Sequence, residues 1–190
     1  MENYYKELPE DFEKDLVIDA KDIKFGIIFN LVALVLMVGC YVLGIYFKLG
    51  SIDLDFTYTS LLIACGITIL YMIVHELTHG AAYKIITKQK LTFGISFSCA
   101  FCGLKEGYFS KKCGLIAILA PFVIHSIWMI LLLIFLPYGQ WFYIILFVFS
   151  AHFGGCVGDL FGALIMIFKY HHKELLINDT GPKQTFYVKK

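Results

Sequence analysis

Four long apolar segments constrain the fold of this chain more than any other feature of its sequence. They run from Phe25 to Phe47, from Thr57 to Val74 and onward, from Cys113 to Leu136, and from Trp141 to Phe168. A helix needs roughly 20 predominantly apolar residues to cross the hydrocarbon core of a bilayer. The chain is therefore predicted to be an integral membrane protein with four transmembrane helices, and the lipid bilayer is its first partner.

The composition agrees with a membrane protein and argues against a nucleic acid partner. Hydrophobic residues make up 59% of the 190 residues and charged residues only 16%, whereas about a quarter of a soluble domain is charged. The net charge is +1 and all sixteen basic residues are lysine, so that no guanidinium group is available for bidentate binding of phosphate. The acidic start of the chain is not expected to be a cleavable signal peptide.

The distribution of lysines predicts the orientation in the membrane. The segments before the first span, between the second and third spans and after the fourth span hold fifteen of the sixteen lysines, and the two remaining loops hold Lys48 alone. Lysine is enriched in cytoplasmic loops of membrane proteins. We therefore expect a multi-pass protein of the cell membrane with both termini in the cytoplasm.

The segment between the second and third spans predicts a short β-hairpin. From Leu91 to Ser98 apolar and polar residues alternate, which is the period of a strand, and the glycines that follow allow the chain to return through Tyr108 and Phe109. We expect this hairpin, residues 91–109, to associate with the membrane.

The two ends of the chain are predicted to be cytoplasmic tails. Residues 1–24 carry eight acidic groups and four lysines, and at most one short surface helix is expected there. Residues 169–190 are expected to fold back at Thr180–Gly181–Pro182 as a small hairpin at the membrane surface. The expected fold is an all-α integral membrane protein, with four transmembrane helices in residues 25–168 and one short membrane-associated β-hairpin between the second and third.

An H-E-x-x-H motif, His75–Glu76–Leu77–Thr78–His79, follows the second apolar segment. Histidines four residues apart share one face of a helix, so that both imidazoles can bind one zinc ion. Glu76 is rotated by about 100° around the helix axis, where it can act as a base toward water at the metal. Ionisable residues continuous with a transmembrane helix are costly and usually functional. The alternative is a polar cap where the helix leaves the membrane.

A catalytic zinc site needs a third protein ligand, and depth in the membrane selects Asp159. His75 lies 18 residues from Thr57, and Asp159 lies 18 residues from Trp141, at the outer ends of their spans. Both side chains are therefore expected about 27 Å below the outer face. His152 lies seven residues shallower, about 10 Å away along the axis, and is expected to lie off the metal.

The glycines around Asp159 predict a close approach of two helices. Gly154, Gly158 and Gly162 recur every four residues, and small residues with this spacing allow transmembrane backbones to come together. We expect this face to meet the second span, so that the short Asp159 side chain reaches the metal. The alternative is glycine-mediated packing around an aspartate that binds no metal.

The other candidate ligands are predicted to have packing roles. A single histidine in the middle of a span, such as His125 or His152, is more often a hydrogen-bonded packing residue than a ligand, although such residues also mark proton paths. The pair Cys99-x-x-Cys102 is a weak metal or redox signal and is expected to be two reduced thiols in the hairpin.

The HELTHG segment, the alternating FGISFS strand after it and an aspartate in a glycine-rich later span resemble the site-2 protease clan of intramembrane metalloproteases. More closely, residues 10–190 resemble small bacterial membrane proteins of the family described as "putative zincin peptidase". The resemblance implies that His75, His79 and Asp159 bind zinc and that Glu76 is the catalytic base. It also implies that the hairpin lies near the active site, where its edge pairs with an extended substrate.

The function expected from these features is that of a zinc metalloendopeptidase of the H-E-x-x-H type. Its substrate would be a membrane protein, cleaved within or next to a transmembrane segment. One alternative is a divalent-metal transporter or sensor that uses the same histidines and aspartate. Another is a proteolytically inactive scaffold for membrane partners, although such a protein would have no need of Glu76.

Overall fold

The structure, a computed structural model, describes residues 3–48, 57–95 and 100–190. Within these ranges four helical stretches are long and apolar enough to cross a membrane, which is compatible with a multi-pass membrane protein. The helices are α1 (Ile23–Lys48), α2 (Tyr58–Thr87), α3 (Lys111–Phe135), α4 (Gln140–Gly155) and α5 (Val157–Leu164). The fourth stretch, Gln140–Lys169, comprises α4, α5 and a π-helical turn at Ile165–Lys169.

Helix α2 is continuous from its capped start to a point beyond the H-E-x-x-H motif. Thr57 and Ser60 form a capping box, in which the backbone N–H of Ser60 donates to Thr57 Oγ1 at 3.2 Å. The helix ends at Thr87, and Lys88 follows in the left-handed region at φ 57°. Both histidines therefore lie on a regular helix, as their spacing requires.

In the described part of the chain, five strands outside the helices form an antiparallel sheet. Its strands, in spatial order, are β1 (Tyr4–Tyr5), β5 (Tyr108–Ser110), β6 (Leu175–Asp179), β7 (Lys183–Lys189) and β2 (Phe12–Asp19). The all-α class predicted from the sequence is therefore wrong. Residues 1–24 contain β1 and β2, where at most one short surface helix was expected. The hairpin at Thr180–Gly181–Pro182 is present, but it is the centre of a larger sheet.

The sheet joins the two ends of the chain on one side of the helices. Strand β2 precedes α1 and pairs with β7, which follows the last helical stretch. Strand β5, between α2 and α3, pairs with β6 in the same sheet. The segments before, between and after the spans therefore lie on one side, as an even number of spans requires. That this side is the cytoplasm stays a prediction from the lysine counts.

A separate two-stranded sheet follows α2. Strand β3 (Leu91–Ile95) pairs with β4 (Ala100–Leu104), and residues 96–99 between them lie outside the described residues. The end of the predicted FGISFS strand and Cys99 therefore lie outside them as well. The expected return through Tyr108 and Phe109 is wrong, because these residues belong to β5 of the larger sheet. The hairpin ends at Leu104.

The larger sheet packs on the ends of the helices through an apolar core and through polar contacts, one group of which surrounds Tyr170. Tyr170, just after the π-helical turn, stacks on Phe186 of β7 with ring centroids 5.7 Å apart. Its hydroxyl donates to Asp15 of β2 at 2.5 Å, and Lys169 Nζ donates to the same oxygen at 2.7 Å. These two hydrogen bonds hold the pKa of Asp15 below its usual value. The last span is thus connected to the strand that precedes the first.

The glycine repeat of the last span does not meet α2, which corrects the prediction. A Cβ added at Gly154 would lie 2.5 Å from the carbonyl oxygen of Ala33 in α1, and one at Gly162 would lie 2.8 Å from Ile118 in α3. A four-residue step turns about 40° around a helix, so that the repeat drifts by about 80° over its length. The glycines therefore pack against two different neighbours.

Candidate metal centre

One face of α2 carries four residues with hydrogen-bonding side chains, spaced four residues apart. These are Tyr71, His75, His79 and Tyr83, and all four are buried. Side chains at this spacing lie one above the other along a helix. Each of the four contacts a polar group from another part of the chain, so that this face of α2 is connected to several other elements.

Asp159 reaches the two histidines of the motif. Its Oδ2 atom lies 3.2 Å from His75 Nε2 and 3.4 Å from His79 Nε2. The aspartate lies in the first turn of α5, which starts anew after α4 ends at Gly155. The structure thus brings together the three residues selected by motif and depth. Their role as metal ligands stays a prediction.

Hydrogen bonds at the other ring nitrogens orient both imidazoles. His79 Nδ1 lies 2.9 Å from the carbonyl oxygen of Ala117, which can only accept, so that Nδ1 carries the proton. His75 Nδ1 lies 2.8 Å from the hydroxyl of Tyr71. Both rings consequently present Nε2 toward Asp159. Outer hydrogen bonds of this kind are usual around histidines that bind metals.

The donor set fits a catalytic zinc ion. The two imidazole nitrogens and the carboxylate oxygen lie within 4.8 Å of one another. Two histidines and one carboxylate, with a fourth position left for water, are the ligands of one known class of catalytic zinc site. Nδ1 of each ring is hydrogen-bonded to another group, so Nε2 is the nitrogen of each ring that is available to a metal ion.

Glu76 lies beside this group, on the adjoining face of α2. It lines the same cavity as both histidines and is hydrogen-bonded by the backbone of Cys102 in β4. The hairpin of β3 and β4 also packs on α2 at Gly80, where an added Cβ would lie 2.7 Å from the Phe93 ring. The hairpin therefore lies next to the candidate site, as expected. Burial raises the pKa of the Cys102 thiol to about 12, so that it stays protonated.

A cavity of about 530 Å³ lies beside the candidate ligands and is lined by residues of the helices and of the sheet. Residues of α1, including Phe29, Ala33 and Leu34, form an apolar wall. The histidine face of α2 and the Asp159 region of α5 form the opposite side, and residues of the β6–β7 turn form the end near the sheet. The cavity is large enough for a ligand rather than for water alone.

Two histidines outside the motif are hydrogen-bonded inside the helical bundle. His125 Nε2 lies 2.9 Å from Thr78 Oγ1, and Trp128 Nε1 donates to His125 Nδ1 at 2.9 Å. His152 contacts the hydroxyl of Tyr71 through Nδ1. The rings of His75 and His152 lie only 6.4 Å apart between centroids, closer than the depth argument predicts. Tyr71, one turn shallower than His75, bridges the difference in depth.

A second group of possible metal donors adjoins the first and shares His75 with it. It consists of His75, His152 and Cys156, and Cys156 Sγ lies 3.5 Å from His152 Nδ1. The hydroxyl of Tyr71 contacts Nδ1 of both imidazoles in this group. We therefore regard the group with Asp159 as the better zinc site.

Asp179 of β6 is a buried acidic residue at the sheet end of the cavity that the sequence did not single out. Tyr83 Oη donates to its Oδ2 at 2.7 Å, and Gln184 Nε2 donates to the same atom at 3.2 Å. The backbone N–H of Gly181 donates to Oδ1 at 2.8 Å. Burial raises the pKa of Asp179 to about 6, against the lowering effect of the hydrogen bonds from Tyr83 and Gly181.

The tyrosines on the histidine face of α2 could have been found in the sequence, but Asp179 could not. Tyr71 precedes His75 by four residues and Tyr83 follows His79 by four, so the spacing of the motif itself extends to them. Asp179 lies in a strand nearly 100 residues further on, and its contact with α2 depends on long-range pairing.

Comparison with known proteins identifies the family. No curated protein and no solved structure matches the chain, and the resemblance to the site-2 protease clan stays an expectation. One family matches residues 68–174, a range that contains the H-E-x-x-H motif, the β3–β4 hairpin and Asp159. The range covers more than half of the 190 residues. The chain therefore belongs to the family described as "putative zincin peptidase".

Proposed function

We propose that the chain is a zinc-dependent metalloendopeptidase of the H-E-x-x-H type, which hydrolyses peptide bonds in or next to transmembrane segments of membrane proteins. One observation carries the proposal. The Asp159 carboxylate lies within 3.4 Å of Nε2 of both His75 and His79, beside Glu76 and at the wall of a cavity. Membership of a family of zincin-type peptidases supports the same activity.

In this proposal His75, His79 and Asp159 hold the zinc ion. A bound zinc ion supplies Lewis-acid chemistry, which makes water more acidic and polarises a carbonyl group. The hydrogen bond from His79 Nδ1 to the Ala117 carbonyl keeps the Nε2 lone pair directed at the site. The neighbouring carboxylate of Asp159 compensates part of the positive charge of the ion in a region largely shielded from water.

Glu76 acts as general base and then as general acid. Its carboxylate lies one residue after His75, so it faces the cavity beside the ligands and does not share their face. It takes a proton from the attacking water and delivers it to the nitrogen of the leaving amine. The backbone of Cys102 in β4 contributes a hydrogen bond to the carboxylate. An amide at this position keeps the size of the side chain but cannot accept the proton.

The walls of the cavity agree with a substrate at the edge of the membrane. The α1 side is apolar, with Phe29, Ala33 and Leu34, and suits the side chains of a transmembrane segment. The other end carries the polar groups of Asp179 and Gln184 and suits a chain that has left the lipid. We expect cleavage near the cytoplasmic face of the cell membrane, with both termini of the enzyme in the cytoplasm.

Metal content and proteolysis test the proposal together. Protein purified in detergent should contain about one zinc ion per chain, and His75→Ala, His79→Ala and Asp159→Ala should lose it. Glu76→Gln should keep the zinc, and cells that carry it should accumulate uncleaved membrane proteins when their membrane proteome is compared with that of wild-type cells. Full zinc retention in both histidine variants would contradict the proposal.

A divalent-metal transporter is the second candidate function. The second donor group, His75 with His152 and Cys156, favours it, because adjoining donor groups are what a metal ion needs to pass through a membrane. Glu76→Gln separates the two functions. Lost cleavage with retained zinc supports the peptidase, whereas a defect in zinc uptake without any uncleaved protein supports the transporter.

A further inference from the structure

Tyr71 connects the candidate ligand His75 to His152 deep in the helical bundle. Its hydroxyl lies 2.8 Å from His75 Nδ1 and also contacts His152 Nδ1. His152 Nε2 lies 3.0 Å from Ser126 Oγ in α3. His152 is 1% exposed and Tyr71 is 8% exposed, so water has little access to this chain of contacts.

When His75 binds a metal through Nε2, the hydrogen bonds of this chain of contacts all run in one direction, from His75 toward Ser126. Nδ1 of His75 then carries the proton and donates it to the Tyr71 oxygen. The Tyr71 hydroxyl is free to donate to His152 Nδ1, and His152 Nε2–H donates to Ser126. His75, Tyr71 and His152 thus each use their one proton once, and each proton has an acceptor within the chain of contacts.

We propose that Tyr71 and His152 form an outer hydrogen-bond relay that holds His75 in the tautomer and ring orientation needed for metal binding. The inference rests on the proposed zinc site. Tyr71 and His152 are positioning residues, because neither touches the reacting atoms. The relay also links α2 to α4, the helix that leads to Asp159, so that it holds two of the three ligands in register.

The two histidine ligands differ in how they are oriented. His79 donates to the backbone carbonyl of Ala117, which no side-chain substitution removes. His75 depends on a hydroxyl whose own position depends on a second imidazole. Zinc affinity should therefore respond to side chains that lie one and two contacts away from His75.

Zinc affinity of the purified full-length protein, measured by competition with a chelator, tests the relay. Tyr71→Phe keeps the ring and removes the hydroxyl, and zinc binding should weaken roughly 10–100-fold. The matched control is Tyr83→Phe, which removes a buried hydroxyl on the same face of α2. In the wild-type chain this hydroxyl donates to Asp179 rather than to the relay. This control should change zinc affinity less than threefold.

Substitutions at His152 test the second contact. His152→Leu should weaken zinc binding, and His152→Asn should restore most of it, because the amide oxygen can accept from Tyr71 near the position of Nδ1. The double variant Tyr71→Phe/His152→Leu should bind zinc no more weakly than Tyr71→Phe alone, since both act through one chain of contacts. Multiplied effects in the double variant would contradict the relay.

Cys156 distinguishes the relay from direct metal binding by the second donor group. Cys156→Ala should leave zinc affinity and stoichiometry unchanged, although its Sγ lies 3.5 Å from His152 Nδ1. A loss equal to that of His152→Leu would overturn the relay in favour of a metal at His152. Equal zinc affinity in wild type and Tyr71→Phe would also overturn it. Wild-type protein that binds no zinc would instead contradict the proposed function itself.

Discussion

The hydroxyl of Tyr83 donates a 2.7 Å hydrogen bond to Asp179, and this contact joins the helix of the H-E-x-x-H motif to the C-terminal hairpin. Tyr83 lies one helical turn beyond His79, and the turn after Asp179 forms the end of the cavity. The family match ends at residue 174. A segment outside the matched range therefore completes the wall of the candidate site.

Acidic pH should strengthen the contact between the sheet and α2. Burial raises the pKa of Asp179 to about 6, whereas an unfolded aspartate has a pKa of about 3.9. The stabilisation from protonation is therefore fully present below about pH 4 and is lost as the pH rises through 6. When the pH falls from 7.5 to 5, the free energy of opening of this contact should rise by about 1 kcal/mol. Hydrogen exchange of the β6 amides, corrected for the intrinsic rate at each pH, measures it.

Asp179→Asn is the control for this pH dependence. The amide cannot titrate, so that the difference in β6 protection between the two pH values should fall by about the same 1 kcal/mol. The charges of His79 and Asp159 also act on Asp179, and the comparison with the variant removes contributions from groups other than Asp179. An unchanged pH dependence in Asp179→Asn would show that Asp179 is not the group responsible for the effect.

The close approach of β4 and the β6–β7 turn predicts a strong effect of one methyl group. A Cβ at Gly103 would lie 2.1 Å from the backbone nitrogen of Gly181, and Gly181 itself has a φ of +103°. Because backbone cannot give way as a side chain does, Gly103→Ala should lower the free energy of unfolding by about 1–3 kcal/mol. Thermal unfolding in detergent measures the change.

Gly39→Ala in α1 is the matched control for this substitution. Among the described residues, nothing lies within 4 Å of a Cβ at Gly39. Alanine is also favoured over glycine inside a helix, so the variant should unfold at the same temperature as wild type or higher. Equal losses at both positions would mean that the approach of β4 to the turn does not limit stability.

The helices and the candidate site could be predicted from local patterns. Length and hydropathy locate four spans because the bilayer imposes one requirement on every one of them. The histidine spacing and the matching depths of His75 and Asp159 follow from the regular rise of helices, so Asp159 could be selected without knowledge of the packing. Helix geometry alone can therefore relate His75, His79 and Asp159, although it did not predict how close His152 lies to His75.

The sheet could not be predicted because its order depends on pairings between distant segments. Strand β2 pairs with β7 across more than 160 residues, and β1 and β5 are only two and three residues long. The charges of β2 also hide its alternation, because Glu13, Lys14 and Asp15 follow one another and are all exposed, and the register shifts between Lys14 and Leu16. The prediction that the glycine repeat meets α2 was wrong for another reason. The repeat indicates a close contact between helices but does not identify the partner helix.

Zinc should raise the stability of the chain, and its removal should reverse the effect. A ligand that binds only the folded state stabilises it by about 2.7 kcal/mol at a concentration 100 times its dissociation constant. The melting temperature in detergent should therefore rise on addition of zinc and fall again with a chelator. Asp159→Asn should lose most of this shift, because it removes the charged oxygen donor. Asp15→Asn, which removes a carboxylate from β2, should keep the shift in melting temperature. An equal loss of the shift in both variants would indicate nonspecific binding.

Gly158 should control access of the substrate to the site. It lines the cavity one residue before Asp159, and among the described residues nothing lies within 4 Å of a Cβ placed there. A leucine side chain at this position would begin in open space at the cavity wall, so we expect Gly158→Leu to fold and to bind zinc as wild type does. Cleavage should fall more than tenfold, measured on a membrane protein that accumulates uncleaved in Glu76→Gln cells.

Gly66→Leu on α2 is the control, since a Cβ there also meets nothing within 4 Å. Unchanged cleavage by Gly158→Leu would show that the substrate does not occupy this cavity.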